Sequence, residues 1–334
     1  MRRLLVGFIL LALVAPAAAR SSVRVSAFYY PWYGTSAEDG AYQHWSQLDH
    51  TPPNDIASSY YPARGLYSSS DRLVVGAQMD EIRAAGIDEV AVSWWGRGSP
   101  EDARLAEVAA AARADGLSVA AHLEPYAGRT VESTIADVAY LRSYGIDTFY
   151  LYRPFDLPVS DWAAAATDLH ALGATIFGQT GLVGAAAAAG FDGIYTYDIV
   201  TFGGNTFGRL CAQARAEHLL CAPSVGPGYD ARRGSHDPRV KPRRNGRTYD
   251  SMWRMAIASG ADRVTITSFN EWHEGTQIEP AAPAGRHGAY RYLSYNGAWG
   301  LHGPSAEWSY LTRTRYWSDV FRSTSPVQLK TSAS

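Results

Sequence analysis

Two apolar patterns alternate along the chain: short runs of β-branched and aromatic residues, and longer alanine-rich segments with apolar residues at helical spacing. The short runs predict β-strands, and the longer segments predict helices that bury one face. The predicted strands cover residues 25–30, 89–94, 118–124, 149–152, 174–179, 193–197, 219–224 and 263–267. The predicted helices cover residues 71–85, 101–115, 131–144, 160–171, 182–189, 207–218, 249–259 and 306–321.

This regular alternation predicts an α/β fold, because parallel neighbouring strands need a crossover connection. No change of composition separates the eight units, so we expect residues 20–334 to form one (β/α)8 TIM barrel rather than a doubly wound sheet. Two predicted loops are long, one after the first strand (31–70) and one after the seventh (225–248). Loops of that length in a compact domain usually carry function.

The N-terminus has the pattern of a secretory signal peptide. Arg2 and Arg3 precede an apolar run at 4–14, which Pro16 and three alanines follow. We place the signal peptide at 1–19 and expect a secreted protein with no stable membrane association. A type II membrane anchor is the alternative, although the run is shorter than the roughly 20 residues that a spanning helix needs.

Cys211 and Cys221 are the two cysteines of the chain. Secretion would allow them to form a disulfide. Two buried free thiols are an equally good explanation, because sequence spacing does not give the distance between the Cα atoms.

Composition and charge narrow the classes of function. The chain has 334 residues, 46% of them apolar, which is enough to fill a sizeable core. Without residues 1–19, which contain two arginines, 28 basic and 32 acidic residues remain, a net charge of −4. Such a balance offers no large basic surface for a phosphate backbone, so we expect no nucleic-acid partner. No Walker loop, dinucleotide fingerprint or nucleophile elbow is present, so we expect no cofactor.

One basic segment lies in the second long loop. We expect it to be a solvated run, and a contact with a glycan or a phosphate is the alternative. Its members are Arg232, Arg233, Arg239, Lys241, Arg243, Arg244 and Arg247.

In a barrel of this kind the active site lies at the C-terminal ends of the strands. Tyr, Trp, His or Glu residues follow seven of the eight predicted strands, and aromatic rings beside polar groups suit sugar ligands. A structural role is the commoner explanation for any one of these residues, but not for the whole set. The candidates are Tyr30, Trp95, His122, Glu124, Tyr126, Tyr152, Tyr197, Tyr229 and Asn270.

Glu271 and Glu274 form the strongest catalytic pair. They are three residues apart after the last predicted strand, and they would face one cavity if the segment makes a turn of helix. Two nearby carboxylates repel each other, so one of them can stay protonated beside an ionised partner, as glycoside cleavage requires. A solvated helix start is the structural alternative. Glu279 is a weaker catalytic candidate.

A metal centre is the competing chemistry, since His122, Glu124, His273 and Glu274 are residue types that bind metals. Their spacing matches no zinc motif, so we expect no metal.

The chain resembles glycoside hydrolase family 99, the endo-α-1,2-mannosidases and mannanases. The resemblance rests on the motifs FYYPWYG, YYPARGLYSSSD, QMDEIRAAGIDEVAVSWW, HLEPY, FDGIYTY, PSVGPGY and TSFNEWHEGTQIEP, in that order. It implies a (β/α)8 barrel that cleaves α-mannoside chains internally, without a metal and with retention of configuration. It also implies α-mannan or a mannosylated oligosaccharide as the substrate, and we expect a monomer.

The resemblance also implies roles for single residues. Glu271 matches the carboxylate that acts on the sugar 2-hydroxyl, and Glu274 matches the general acid/base. Trp95 matches an aromatic residue beside the −2 sugar, where Trp resembles the mannan-cleaving bacterial members. The residues that would line the −2 and −1 subsites are Tyr30, His122, Glu124, Tyr152, Tyr197, Tyr229 and Arg243. A non-catalytic sugar-binding barrel and a hydrolase of another polysaccharide are the alternatives.

Overall fold

A computed structural model of the protein describes residues 24–324, so the predicted signal peptide at 1–19 lies outside the described residues. The strands are β1 (Arg24–Tyr29), β2 (Glu89–Trp94), β3 (Ser118–Leu123), β4 (Thr148–Leu151), β5 (Thr175–Gln179), β6 (Gly193–Tyr195), β7 (Leu220–Ala222), β8 (Ser224–Val225), β9 (Tyr229–Asp230), β10 (Val240–Lys241), β11 (Arg263–Ile266), β12 (Arg286–His287) and β13 (Tyr290–Arg291). The helices are α1 (Arg72–Ala84), α2 (Pro100–Ala114), α3 (Val131–Arg142), α4 (Val159–Ala171), α5 (Val183–Ala188), α6 (Gly204–Ala216), α7 (Arg247–Ala258), α8 (Pro304–Glu307) and α9 (Ser309–Thr324).

Nine strands form one parallel sheet in the order β7-β6-β5-β4-β3-β2-β1-β11-β8. The strands at the two ends of this order, β7 and β8, are separated in the chain by Pro223 alone. They are two parts of the seventh predicted strand, which reaches β6 through β7 and β11 through β8. Proline interrupts the strand because it has no N–H to donate, while its carbonyl accepts from the Thr265 N–H at 3.1 Å. The sheet therefore closes on itself, and the prediction of a (β/α)8 barrel is confirmed.

The predicted elements are present, with shifted ends. Helix α6 begins at Gly204 rather than at 207, and α7 begins at Arg247 rather than at 249. The first turns of both helices carry small or polar residues, so the apolar period starts later than the helix does. The helix predicted at 306–321 is divided into α8 and α9.

Three long connections leave the C-terminal ends of strands. Two of them match the predicted long loops, and the third, residues 267–303 between β11 and α8, is not among the sequence-based predictions. The Gly and Pro residues of this segment are the signal that would have revealed it. It contains Asn270, Glu271 and Glu274, so the candidate catalytic pair lies on a loop.

The interior of the barrel is filled by aromatic rings rather than by the usual aliphatic layers. Phe28 lies at the centre, 5.7 Å from the ring of Tyr150 and 5.6 Å from that of Tyr195, and Phe177 stacks on Tyr150 at 5.2 Å. These residues are fully buried. They form the floor beneath the polar residues at the strand ends.

Cys211 on α6 and Cys221 on β7 form a disulfide, which decides between the two alternatives left open by the sequence. The bond links a helix to the strand that follows it.

Within residues 24–324, no helix is both long and apolar enough to cross a lipid bilayer.

Candidate active site

Three carboxylates converge on a pair of tyrosine hydroxyls at the mouth of the barrel. The hydroxyls of Tyr30, after β1, and Tyr197, after β6, are hydrogen-bonded to each other. Burial raises the pKa of Tyr30 well above its usual value, and the charges of Glu124, Glu271 and Glu274 raise it further. Residues from four different strand ends therefore meet at one place, as the sequence predicts.

Glu271 and Glu274 lie on a tight turn that is not helical. The Gly275 N–H donates to the Trp272 carbonyl at 3.2 Å, and the Glu271 N–H donates to the Ser268 hydroxyl at 2.8 Å. Gly275 has φ +62°, and a Cβ there would lie 3.1 Å from the Asp230 carbonyl oxygen, so only glycine fits this position easily. The predicted turn of helix is thus replaced by a turn that still places both carboxylates at the same site.

The turn supplies hydrogen bonds to the Glu271 carboxylate. Glu271 is 3% exposed, and its Oε1 accepts from the His273 N–H at 2.9 Å. Burial and the charge of Glu274 raise the pKa of Glu271 well above the usual value, whereas the N–H groups of His273 and Glu274 act in the opposite direction. These amide donors favour the ionised form of Glu271.

Glu274 faces a narrow cavity and has fewer donors. Its Oε2 lies 3.4 Å from the Tyr197 hydroxyl, which donates to it. Burial, together with the charge of Asp198, raises the pKa of Glu274 to about 8. Both carboxyl groups therefore hold a proton more tightly than exposed carboxyls do, and they differ in their donors, which are backbone amides at Glu271 and one hydroxyl at Glu274. The cavity has a volume of about 40 Å³ and is lined by Tyr152, Tyr197, Asp198, Ile199, Tyr229, Arg239, Thr267, Glu274 and Thr276.

Tyr197 reaches Glu274 from a backbone conformation that is costly for a bulky residue. Its φ is +49°, in the left-handed region. The Tyr197 N–H donates to the Ser224 hydroxyl at 2.7 Å, and its carbonyl accepts from the Thr267 hydroxyl at 3.0 Å. Neighbouring strand ends thus hold the strained residue, a feature that clusters at functional sites.

Asn270 joins the catalytic turn to the first strand. Its Oδ1 accepts from the Tyr30 N–H at 2.8 Å, and its Nδ2 donates to the Tyr30 carbonyl at 3.1 Å. The Asn270 carbonyl in turn accepts from the Tyr33 hydroxyl at 3.1 Å. Asn270 was predicted to bind substrate, but its amide is committed to the backbone of Tyr30, so it positions the turn.

Glu124 is held by neighbours on β2 and β3. Its Oε1 accepts from the Ser93 hydroxyl at 2.8 Å and lies 3.0 Å from His122 Nδ1. The other ring nitrogen of His122 lies 3.0 Å from the Tyr195 hydroxyl. Tyr152 lies beside these residues at the mouth of the barrel, and its ring centroid is 5.1 Å from that of Tyr197.

A group of ring systems closes the site on the side of the first long loop. Trp32 stacks on His44 at 4.4 Å, and His44 lies 5.5 Å from His273. Burial lowers the pKa of His44 to about 3 and that of His273 to about 4, so both imidazoles are neutral at neutral pH. They add no positive charge that would favour ionisation of Glu271.

A charged network beside Tyr229 has no counterpart among the predicted site residues. The Tyr229 hydroxyl donates to Asp237 at 2.8 Å, and Arg239 binds Asp237 at 2.7 Å and Asp198 at 3.1 Å. Arg239 thereby connects the second long loop to the segment after β6. Only Asp198 could have been suspected from the sequence, because it follows a strand.

Two predicted substrate-binding residues lie elsewhere. The buried Arg243 guanidinium lies 4.6–4.8 Å from the rings of Tyr60, Tyr295 and Tyr310 and donates to the carbonyls of Gly275 and Gln277. It supports the catalytic turn from behind and does not face the cavity. The Tyr126 hydroxyl bonds to Ser133 and Asp137 on α3, while its ring packs against Gly96.

Trp95 stands at the rim of the mouth, directly after β2. Its side chain is 37% exposed. Tyr126 packs beneath the adjacent Gly96 and so supports the loop that carries the indole.

The predicted solvated run is exposed at Arg232, Arg239, Arg244 and Arg247, whereas Arg233, Lys241 and Arg243 are partly buried, and several of its cations are paired. Arg232 binds Asp230 at 2.8 Å, Arg233 binds Asp55, and Arg239 and Arg243 are committed as described above. Some acidic partners of these arginines lie in distant parts of the chain and others lie in the same loop. Counting charges along the sequence therefore does not show which arginine binds which acid.

Glu279, the weaker catalytic candidate, is a structural residue. It is fully buried and accepts from Tyr67 at 2.8 Å, Trp272 Nε1 at 2.9 Å, Gln78 at 2.8 Å and Arg64 at 3.0 Å. All the lone pairs of the Glu279 carboxylate are therefore used, and none is available to a substrate.

Residues 24–324 contain no group of three or more His, Cys, Asp or Glu side chains arranged to hold a metal ion.

Comparisons with known proteins identify the family of the chain. The model of glycosyl hydrolase family 99 matches residues 22–323. A glycoprotein endo-alpha-1,2-mannosidase-like protein of Danio rerio is 34% identical over 88% of this chain and 77% of its own length. The glycoprotein endo-alpha-1,2-mannosidase of Mus musculus is 31% identical over 88% of this chain and 74% of its own. The solved GH99 endo-alpha-mannosidase from Bacteroides thetaiotaomicron has a TM-score of 0.81 at 31% identity, covering 90% of this chain and 98% of that one.

The raised pKa of Glu274 predicts a pH-dependent cost to stability. Because the folded state holds the proton up to about pH 8 and the unfolded state releases it near pH 4.5, stability falls as pH rises between these values. We expect Glu274→Gln to be more stable than the parent at pH 8, by on the order of 1–2 kcal/mol, and equal to it at pH 4.5. Urea unfolding at the two pH values measures the difference, with the exposed Glu38→Gln as control. A Glu274→Gln advantage that does not grow with pH would contradict the assignment.

Proposed function

The chain belongs to glycosyl hydrolase family 99, and from this premise we propose that it is a retaining endo-α-1,2-mannosidase or mannanase. Its substrate would be α-mannan or another mannosylated glycan, cleaved at internal α-mannosidic bonds. We further propose that it is secreted, on the basis of the signal-peptide pattern at 1–19, and that it acts as a monomer. That the chain is a glycoside hydrolase follows from the family itself.

The observation that carries the proposal is the pair of carboxylates on the turn after β11. The pKa of Glu274 is raised to about 8 and its carboxyl faces a cavity, while Glu271 accepts from backbone amide donors that act against the raising effect of its burial. An acid and a base at one site are what glycoside cleavage with acid/base assistance needs. The names of the relatives, endo-α-mannosidases from animals and a bacterium, support the choice of mannose.

We assign the first chemical step to Glu274 and to the sugar itself. In an α-mannoside the 2-hydroxyl and the departing oxygen are both axial and anti to each other, so the 2-oxygen can attack C1 from behind. Glu271 takes the 2-hydroxyl proton, the C1–O2 bond forms, and the bond from C1 to the leaving oxygen breaks as Glu274 gives that oxygen its proton. The product is a 1,2-anhydro sugar, and no enzyme atom bonds to C1.

The second step reverses these roles. Glu274, now ionised, removes a proton from water, the water oxygen bonds to C1, and the C1–O2 bond breaks while Glu271 returns its proton to O2. Two inversions at C1 give net retention. The Tyr197 hydroxyl beside Glu274 stabilises the carboxylate in the interval between the steps.

The remaining strand-end residues would hold the sugars. Tyr30, His122, Glu124, Tyr152 and Tyr197 would line the −2 and −1 subsites with their rings and polar groups. Tyr229 would contact the same sugars from the second long loop. Trp95 at the rim would stack on the neighbouring −2 sugar, and its exposed indole face suits that role.

Incubation with α-1,2-linked mannan, followed by chromatography of the products, tests the activity and the role of Trp95 together. We expect oligosaccharide products, and a preference for mannose over glucose at the −2 position of roughly 10-fold in kcat/KM, because the flat indole leaves little room for another hydroxyl arrangement. Trp95→Tyr should reduce this ratio. Binding without any product would indicate the non-catalytic alternative, and an unchanged ratio in Trp95→Tyr would remove Trp95 from the −2 site.

The assignment of the acid predicts a dependence on the leaving group. Glu274→Gln should lose far less rate on a mannoside whose leaving group needs no proton than on one with a sugar leaving group. Glu271→Gln should be inactive on both, because every substrate needs its 2-hydroxyl deprotonated. Steady-state rates on the two substrate classes measure the effect. Equal losses in Glu274→Gln on both classes would show that Glu274 is not the acid.

Participation of the substrate's 2-hydroxyl makes a separate prediction. A 2-deoxy mannoside with a good leaving group should not be turned over, and a 2-fluoro analogue should leave the protein unmodified. Rate measurement and intact-protein mass spectrometry provide the two readouts. A glycosyl adduct on Glu271, or normal turnover of the 2-deoxy compound, would restore a covalent mechanism.

A further inference from the structure

A basic groove lies beside the catalytic cavity, between the start of α6 and the side of α7. Its volume is about 900 Å³. We use the name basic groove for the surface formed by Lys241, Arg244, Arg247 and Arg254 together with Gly203 and Met255. Four cationic side chains and no carboxylate belong to its lining.

Three of these cations have no acidic partner. Among residues 24–324, Lys241, Arg244 and Arg247 form neither an ion pair nor a side-chain hydrogen bond. Arg254 has only a distant contact, 3.8 Å, with Asp250. Burial lowers the pKa of Lys241 and the charge of Arg244 lowers it further, while Asp198 acts in the opposite direction without forming a salt bridge to Lys241.

The acidic residues closest to the groove are already occupied. Asp198 accepts from Arg239 at 3.1 Å and from the N–H groups of Val200 and Thr201. Asp250 accepts from Arg313 at 2.6 Å and from the indoles of two tryptophans. Neither carboxylate is available to neutralise the groove, so the groove attracts an anion from outside the chain.

Helix α6 adds to the positive potential. Its N-cap is Gly203, and no side chain caps its first turn. A Cβ on Gly203 would lie 3.7 Å from Lys241 Nζ, so an ammonium group stands beside the open N-terminus of the helix. Amide donors at a helix start and a nearby cation together suit an anion with several oxygens.

A small cavity of about 160 Å³ lies between the groove and the catalytic cavity, and it shares Lys241 with the groove and Tyr229 with the catalytic cavity. Lys241 pairs with Tyr229 in the β9–β10 ladder, and Tyr229 lines the cavity of Glu274. A glycan held at Glu274 can therefore extend into the groove.

We propose that the basic groove binds a phosphoester group carried by the mannan chain, so that the enzyme prefers phosphorylated mannan. This proposal rests on the function proposed above and specifies its substrate. Phosphate is favoured over a carboxylate because the arginine fork and the amides of a helix start match a tetrahedral group with several oxygens. The site is separate from the two catalytic carboxylates.

The test compares mannan fragments that carry phosphate monoesters with the same fragments after phosphatase treatment. We expect kcat/KM to be higher for the phosphorylated fragments by roughly 10-fold, and the ratio to fall as ionic strength rises. In the double variant Arg244→Gln/Arg247→Gln the ratio should approach one. The double variant Arg72→Gln/Arg209→Gln is the matched control, because it removes the same charge from exposed positions outside the groove and should keep the ratio.

A binding measurement separates failure of this proposal from failure of the proposed function. Calorimetry with Glu271→Gln compares phosphorylated fragments, dephosphorylated fragments and inorganic phosphate alone. Tighter binding of phosphorylated fragments, lost on adding Arg244→Gln/Arg247→Gln, supports the groove even if no mannan is cleaved. Equal binding of both fragments, equal cleavage ratios in the parent and the groove variant, or inorganic phosphate binding as tightly as the phosphorylated fragments would each overturn the proposal.

Discussion

The buried carboxylate of Glu279 is the constraint that holds the catalytic loop in place. Its four donors come from the first long loop, from α1 and from Trp272, which follows Glu271 directly. A carboxylate removed from water is tolerated only when its oxygens are satisfied, so the three elements must stay together. The turn with Glu271 and Glu274 is thereby attached to the rest of the barrel on the side away from the cavity, where Arg243 supports it through two carbonyls.

The two candidate catalytic carboxylates, Glu271 and Glu274, have different surroundings from those of Glu279. Glu271 receives amide donors, Glu274 receives only the Tyr197 hydroxyl, and both are removed from bulk water. The fold thus accepts a cost in stability in order to keep a proton on Glu274 at neutral pH. The left-handed backbone of Tyr197 is a second local cost at the same place. The buried aromatic rings of the barrel floor contribute the stability that offsets these two costs.

The strand ends were predictable because a parallel barrel brings all of its C-terminal ends to one face. For this reason Tyr30, Glu124, Tyr197, Glu271 and Glu274 meet as expected. Tyr126 also follows a strand, and Arg243 lies in the loop after the seventh predicted strand, yet Arg243 is surrounded by three tyrosine rings and Tyr126 is bonded to α3. Position after a strand gives the face on which a residue lies, but the direction of its side chain depends on the partners that surround it.

The sequence by itself determined the (β/α)8 architecture, the approximate limits of its elements and the segment that carries the catalytic pair, because these follow from local hydrophobic period and from motif order. The tertiary structure alone decided which acid is fully occupied by hydrogen bonds and which two lie at the mouth of the barrel. Glu279 differs from Glu271 and Glu274 only through donors that lie 201 to 215 positions away in the chain, together with one indole nearby. The same holds for the basic loop, whose arginines are paired or free according to which carboxylates the fold brings beside them. Such pairings are set by contacts between distant segments, so no local pattern contains them.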